Sequence, residues 1–163
     1  MASEITLFTD GAASGNPGPG GYGIILKSGK HYLEKSGGFA LTTNNRMELL
    51  AVITGLEALK IEGSRVTVYT DSRYVADPIN KGWLFKWETT GFRKKKNIDL
   101  WKRFLTIYRK HSVKFVWVKG HSDIPENERC DRLAVEASRQ KDLPVDAGYL
   151  NDTEADSSIF SET

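Results

Sequence analysis

Ile5-Thr6-Leu7-Phe8-Thr9-Asp10-Gly11-Ala12-Ala13-Ser14-Gly15-Asn16-Pro17-Gly18-Pro19-Gly20-Gly21 is the stretch on which the fold turns. An apolar run ends on a carboxylate, and the residues after it are almost all small or turn-forming. Gly tolerates φ > 0 and close approach of another backbone, while Pro17 and Pro19 stiffen a turn and remove N–H donors. The pattern predicts a strand over residues 4–10 that delivers Asp10 into open space beside a Gly/Pro loop. A hairpin loop whose Asp only caps the turn is the plain alternative, and the flanking chain has to decide.

Working outward, residues 22–27 and 31–35 read as two more strands joined by Ser28-Gly29-Lys30, giving an antiparallel meander. Residues 44–60 form the clearest helix, with Leu49, Val52, Ile53, Leu56 and Leu59 at three-to-four spacing and Gly63 after the end. Residues 66–70 are a strand ending in Asp71, as the first ended in Asp10. A short helix is expected at 73–80, an aromatic and basic segment at 81–96, a helix at 98–110, a strand at 113–118 and a helix at 127–141. The order predicts an α/β fold: a five-stranded mixed sheet, an antiparallel meander plus two parallel strands, with helices on both faces. A right-handed crossover through 44–60 lays the 66–70 strand parallel to the first. Asp10 and Asp71 then leave the same sheet edge on strands about 4.8 Å apart, the edge where ligands of open α/β sheets bind.

The 163 residues suffice for one domain with a sizeable core. No apolar run approaches a membrane span and no signal peptide is read at the start. Cys130 has no intrachain partner to bond, which suits a reducing cytoplasm, and is assigned to packing. After Tyr149 there is no Lys or Arg, only Asp152, Glu154, Asp156 and Glu162 among the charged residues. The rest of the chain therefore carries 23 basic against 17 acidic residues, a net +6. Much of the excess lies in 81–96, including Arg93-Lys94-Lys95-Lys96. Such a block suggests a polyanion partner, with a solvated charge run as the alternative.

Two further acids can reach the edge that bears Asp10 and Asp71: Glu48, early in its helix, and Asp131, early in the last. Each has a structural alternative, since Asn45-x-x-Glu48 matches a capping box, Asp131 favours a helix N-terminus and Asp71-Ser72 caps the next helix. Four ionised carboxylates converging on one edge repel each other unless cations sit among them. Oxygen ligands without a Cys/His cluster point to Mg²⁺ or Mn²⁺. Two such ions about 3.5–4 Å apart form the clamp of in-line phosphoryl displacement.

These residues carry a family resemblance. Phe8-Thr9-Asp10-Gly11, Asn16-Pro17-Gly18-Pro19-Gly20-Gly21-Tyr22-Gly23, Thr42-Thr43-Asn44-Asn45-Arg46-Met47-Glu48-Leu49, Thr70-Asp71-Ser72, Trp117-Val118-Lys119-Gly120-His121 and Pro125-Glu126-Asn127-Glu128-Arg129-Cys130-Asp131 resemble bacterial ribonuclease H type 1. The motifs run in family order from Ile5 to about Tyr149. The resemblance implies a ribonuclease H-like fold and an endonuclease that cuts the RNA strand of RNA–DNA hybrids, leaving 3′-hydroxyl and 5′-phosphate ends. It implies Asp10, Glu48, Asp71 and Asp131 as metal-binding catalytic carboxylates, with Mg²⁺ as cofactor, Mn²⁺ as a substitute and two ions with substrate bound. His121 would assist proton transfer or product departure. RNA 2′-hydroxyls would be read around Gly11, Ala12, Glu48 and Asn127, a DNA phosphate held near Thr43 and Asn16, and the minor groove met by Asn44 and Asn45.

Residues 81–96 resemble the family's basic protrusion, with Trp83, Trp87 and Arg93, Lys94, Lys95 and Lys96 as substrate contacts. The match loosens here: Glu88-Thr89-Thr90 stands where relatives carry more cations, Phe92 where a Trp is familiar, and the segment is shorter. Core packing is the alternative role for Trp83 and Trp87. Related folds also serve DNA resolution and strand transfer, but Thr43-Asn44-Asn45 and His121 argue against that reading. A non-catalytic hybrid-binding module would suit a chain missing one of the acids, and none is missing. The expected organisation is a catalytic domain at 1–149 and an acidic C-terminal tail at 150–163, in a cytoplasmic monomer.

Overall fold

In the computed structural model, residues 4–120 and 123–152 are described. The central strand is β1 (Glu4–Ala13), followed by β2 (Gly18–Ser28), β3 (His31–Thr42), α1 (Asn44–Glu57), β4 (Arg65–Thr70), α2 (Arg73–Asn80), α3 (Trp83–Thr89), α4 (Ile98–Tyr108), β5 (Ser112–Trp117) and α5 (Pro125–Ser138). Residues 147–152 are helical, so the expected boundary between 149 and 150 falls inside a helical stretch, and 153–163 lie outside the described residues. The sheet order is β3-β2-β1-β4-β5. β1 pairs antiparallel with β2 and parallel with β4, and β4 pairs parallel with β5. This is the mixed sheet expected from the sequence. Among the described residues no helix is long and apolar enough to cross a membrane.

Strand alternation divides the apolar residues between two faces. Leu7, Ile24, Leu26, Val66 and Val68 join Leu49, Val52, Ile53 and Leu56 of α1 and Trp101 and Phe104 of α4 in the main core. Phe8 and Ile25 face the other way, against Cys130 of α5. The Cys130 thiol is buried, donates to the Phe8 carbonyl (3.4 Å) and is pushed to higher pKa by that burial. It is a packing residue.

The glycine-rich stretch corrects the sequence expectation. It is not a loop from Gly11 onward: β1 runs to Ala13 and β2 begins at Gly18, with Asp10 opposite Gly23 and Ala13 opposite Gly20. Only residues 14–17 turn the chain. Glycine serves here to let helices lie flush on the sheet. A Cβ on Gly23 would come within 2.5 Å of the Cys130 carbonyl oxygen and 2.6 Å of Leu133 Cβ. The second turn is also tighter than expected: Ser28 pairs with His31, leaving Gly29 and Lys30 as a two-residue loop.

The capping-box reading of Asn45 and Glu48 is likewise overturned. The cap of α1 is Thr43, whose Oγ1 accepts from the Arg46 N–H (3.3 Å), which leaves the Glu48 carboxylate free of a capping role. Within the basic segment α3 forms an unexpected helix, entered through Gly82 at φ +77°. Its Leu84 is buried and Phe92 beyond it is 3% exposed, so the residue standing where a Trp is familiar belongs to the core.

Candidate active site

β1 and β4 are last paired at Phe8 and Tyr69, and beyond that point they separate. Asp10 stands just past the fork on β1, and Asp71 follows the last residue of β4. The chain after β4 is held open by local bonds. The Ser72 N–H donates to Thr70 Oγ1 (3.0 Å), and the Trp117 indole N–H donates to the Asp71 carbonyl (3.0 Å). The Arg73 guanidinium lies over the Trp117 ring, 4.3 Å from its centroid. Glu48 arrives from the second turn of α1, whose backbone rests on Gly11: a Cβ there would lie 2.5 Å from the Met47 carbonyl carbon.

One carboxylate oxygen from each of Asp10, Glu48 and Asp71 lies within 4.8 Å of the others. Asp131, in the second turn of α5, lines the same cleft and repels the Asp10 charge, but stands outside that group of three. The cleft is about 520 Å³ and is also lined by Gly11, Ala12, Asn44 and Asn127. Among the described residues, two buried side-chain oxygens have no hydrogen-bond partner: Glu48 Oε2 and Asn127 Oδ1, both on residues of this cleft. A buried orphan carboxylate oxygen is costly unless a cation or donor meets it. The donor set is oxygen only, which fits a hard divalent ion.

The electrostatics agree. Burial, then the Asp71 charge, raise Asp10 to about 7, while hydrogen bonding with the Glu48 carboxyl and, less, the Gly11 N–H on Asp10 Oδ1 (2.9 Å) pull the other way. Burial, then the charges of Asp10 and Asp71, hold Glu48 well above the usual carboxylate range. In the metal-free protein this costs stability. A folded-state pKa above the unfolded value favours folding at pH below about 4, and that contribution is lost as pH rises toward 7. Metal-free Asp10→Asn should therefore gain on the wild type by roughly 2 kcal/mol between pH 4 and 7. Thermal melts in chelator across that range check this, and parallel curves for the two proteins would contradict it.

A second cleft, about 480 Å³, gathers other residues singled out from the sequence: Asn16, Thr43, Asn45, Lys95 and Lys96. The Asn16 side-chain oxygen accepts from the Asn44 N–H (3.1 Å) and joins the β1–β2 turn to the start of α1. Trp83, Trp87, Arg93 and Lys94 line neither cleft. Trp87 packs edge-on against Trp101 (5.8 Å) with Lys95 Nζ over its ring, so its packing role is the one seen. Trp83 is exposed beside Lys81. His121 lies outside the described residues. Lys119, Glu128 and Arg132 also line the first cleft but were not singled out from the sequence. Lys119 and Glu128 sit inside two of the motifs given above, and that is the available signal.

Residues 2–139 match the family model described as RNase H. The chain is 57% identical over 152 residues to a ribonuclease H of Trichodesmium erythraeum, covering 90% of this chain and 96% of the relative. It is 57% identical over 148 residues to one from Desulforamulus reducens, covering 88% and 92%. Among solved structures it is similar to LC9-RNase H1, a type 1 RNase H with the type 2 active-site motif. That match has a TM-score of 0.77 and 29% identity, over 85% of this chain and 73% of the other. It is also similar to LC11-RNase H1 in complex with RNA/DNA hybrid, with a TM-score of 0.61 and 29% identity over 82% and 95%.

Proposed function

The chain belongs to the ribonuclease H family, and on that premise we propose that it hydrolyses the RNA strand of RNA–DNA hybrids endonucleolytically, leaving 3′-hydroxyl and 5′-phosphate ends. The observation that carries the reading is the triad Asp10, Glu48 and Asp71 at the strand fork, running from a buried Glu48 to an exposed Asp71, with an unpartnered Glu48 oxygen inside it. These three would hold Mg²⁺, or Mn²⁺ in its place, with Asp131 reaching in from α5. Two such ions, when bound, supply an activated water and a counter-charge for the leaving oxygen in an in-line displacement.

The chain's own residues do the rest. Gly11 and Ala12 present backbone without bulk at the cleft wall, close to where a strand's 2′-hydroxyls would pass. Asn44 and Asn127 supply amide donors and acceptors along the same cleft. Two readings at once, hydroxyls on one strand and a deoxy backbone on the other, separate a hybrid from either pure duplex. Asn16, Thr43, Lys95 and Lys96 would grip the DNA backbone in the second cleft, with Asn45 beside them. His121 is assigned to proton transfer or product departure by its place in the motif.

The test is cleavage of an end-labelled hybrid in Mg²⁺ beside duplex DNA, duplex RNA and single-stranded RNA. Cutting confined to the hybrid RNA, with 3′-hydroxyl products, is expected; equal cutting of duplex DNA would favour the strand-transfer branch of the fold instead. The basic block makes a separate prediction. Neutralising Arg93, Lys94, Lys95 and Lys96 should raise KM about tenfold and flatten the salt dependence of binding, with kcat little changed. An unchanged salt slope would show the block to be a solvated face.

A further inference from the structure

Arg46 is 2% exposed, although it sits in the first turn of a helix at the rim of both clefts. Its guanidinium spends every donor. Nε and Nη2 hold the Asp146 carboxylate (2.8 and 3.0 Å), and Nη1 and Nη2 hold Asp99 (2.9 and 2.8 Å). Nη1 also donates to Asn97 Oδ1 (3.3 Å). Around this fork Thr42 Oγ1 donates to Asp146 (2.6 Å), the Tyr149 N–H donates to the same carboxylate (3.3 Å), and Asn97 Nδ2 donates to the Tyr74 hydroxyl (2.8 Å). Gly148 passes so closely that a Cβ would stand 2.5 Å from Arg46 Nη2. Three segments distant in the chain, 42–46, 97–99 and 146–149, therefore meet on one side chain.

Those segments adjoin the walls of the second cleft. Thr43 and Asn45 flank the start of α1, Lys95 and Lys96 immediately precede Asn97, and Tyr149 follows Asp146. We infer that Arg46 is a positioning residue for substrate backbone, setting how far the Lys95–Lys96 cations stand from Thr43 and Asn45 across the second cleft. Resting on the hybrid reading above, this names what holds the two walls of the grip together. Arg46 touches no substrate itself, because all five N–H groups are engaged inside. Lys cannot substitute: three donors radiating from a point charge do not match two carboxylates presented to a planar fork.

The experiment compares the unaltered chain with Arg46→Lys, Arg46→Met and Val52→Ala, the last a core change on α1 away from both clefts. Hybrid binding is followed by anisotropy in chelator over a salt series, turnover in Mg²⁺, and amide exchange at 97–99 and 146–149, all at temperatures where each protein is folded. Both Arg46 variants should weaken binding about tenfold and lower the salt slope by about one phosphate contact, with kcat within about twofold. Exchange at 97–99 and 146–149 should quicken in both Arg46 variants and not in Val52→Ala. Normal binding by Arg46→Lys would overturn the inference, since it would reduce the role to charge alone. An equal loss in Val52→Ala, or a fall in kcat with binding intact, would overturn it too. Failure of the unaltered chain to prefer the hybrid would instead count against the parent reading, while the exchange arm would still decide whether Arg46 ties the segments together.

Discussion

Asp10→Asn is expected to lower hybrid cleavage in Mg²⁺ by about 10³-fold or more while hybrid binding survives within a few-fold. Asn is isosteric and keeps an oxygen for the Gly11 N–H that now meets Asp10 Oδ1, so neither β1 nor its pairing with Gly23 has reason to move. What goes is one of three anionic ligands, and metal assistance is worth several kcal/mol at about 1.36 kcal/mol per tenfold in rate. Binding persists because Asn16, Thr43, Asn45, Lys95 and Lys96 lie in a different cleft. Paired measurements of cleavage rate and anisotropy decide it. Cleavage retained in Mg²⁺ would remove Asp10 from the site.

Gly23→Ala should destabilise the fold by about 3 kcal/mol. Its added methyl meets the Cys130 carbonyl and Leu133 Cβ, which belong to α5 and cannot swing aside like a side-chain tip. The helix has to lift from the sheet, and Asn127 and Asp131 lift with it. Gly29→Ala is the matched control, because its methyl would meet nothing within 4 Å and its cost comes only from φ +58°, about 1 kcal/mol. Urea unfolding of the two variants checks the difference. Equal midpoints would mean that α5 does not rest on the glycines as described.

The same glycines show where the sequence could and could not be read. Alternation announces a strand only when side chains exist to alternate, and from Gly11 to Gly23 the inward positions are largely occupied by hydrogen. The strand pair therefore reads as a loop in the sequence, because the α5 backbone covers it and leaves no local trace. Asp10 and Asp71 were legible because each ends an apolar strand run and the crossover rule sets those strands side by side. Glu48 was legible as an acid near a helix start, though Thr43 rather than Asn45 proved to be the cap. Arg46 was not, because Asp99 and Asp146 lie 53 and 100 residues away. Its one local clue was a charged residue on the buried stripe of α1. Trp87 shows the converse: aromatic and basic neighbours suggested nucleic acid, whereas its ring leans on Trp101.

The central claim is that Asp10, Glu48 and Asp71 form a cation site in which protons held by Asp10 and Glu48 leave when the cation arrives. Calorimetric titration of Mn²⁺ at pH 7, repeated in two buffers of different ionisation enthalpy, tests it most directly. With Asp10 raised to about 7 and Glu48 held well above its ordinary value, binding should release protons, so the observed heat should differ between buffers. In Asp10→Asn the affinity should fall at least tenfold and the proton release should shrink. Equal affinity in both proteins, or heat independent of buffer in the wild type, would contradict the account.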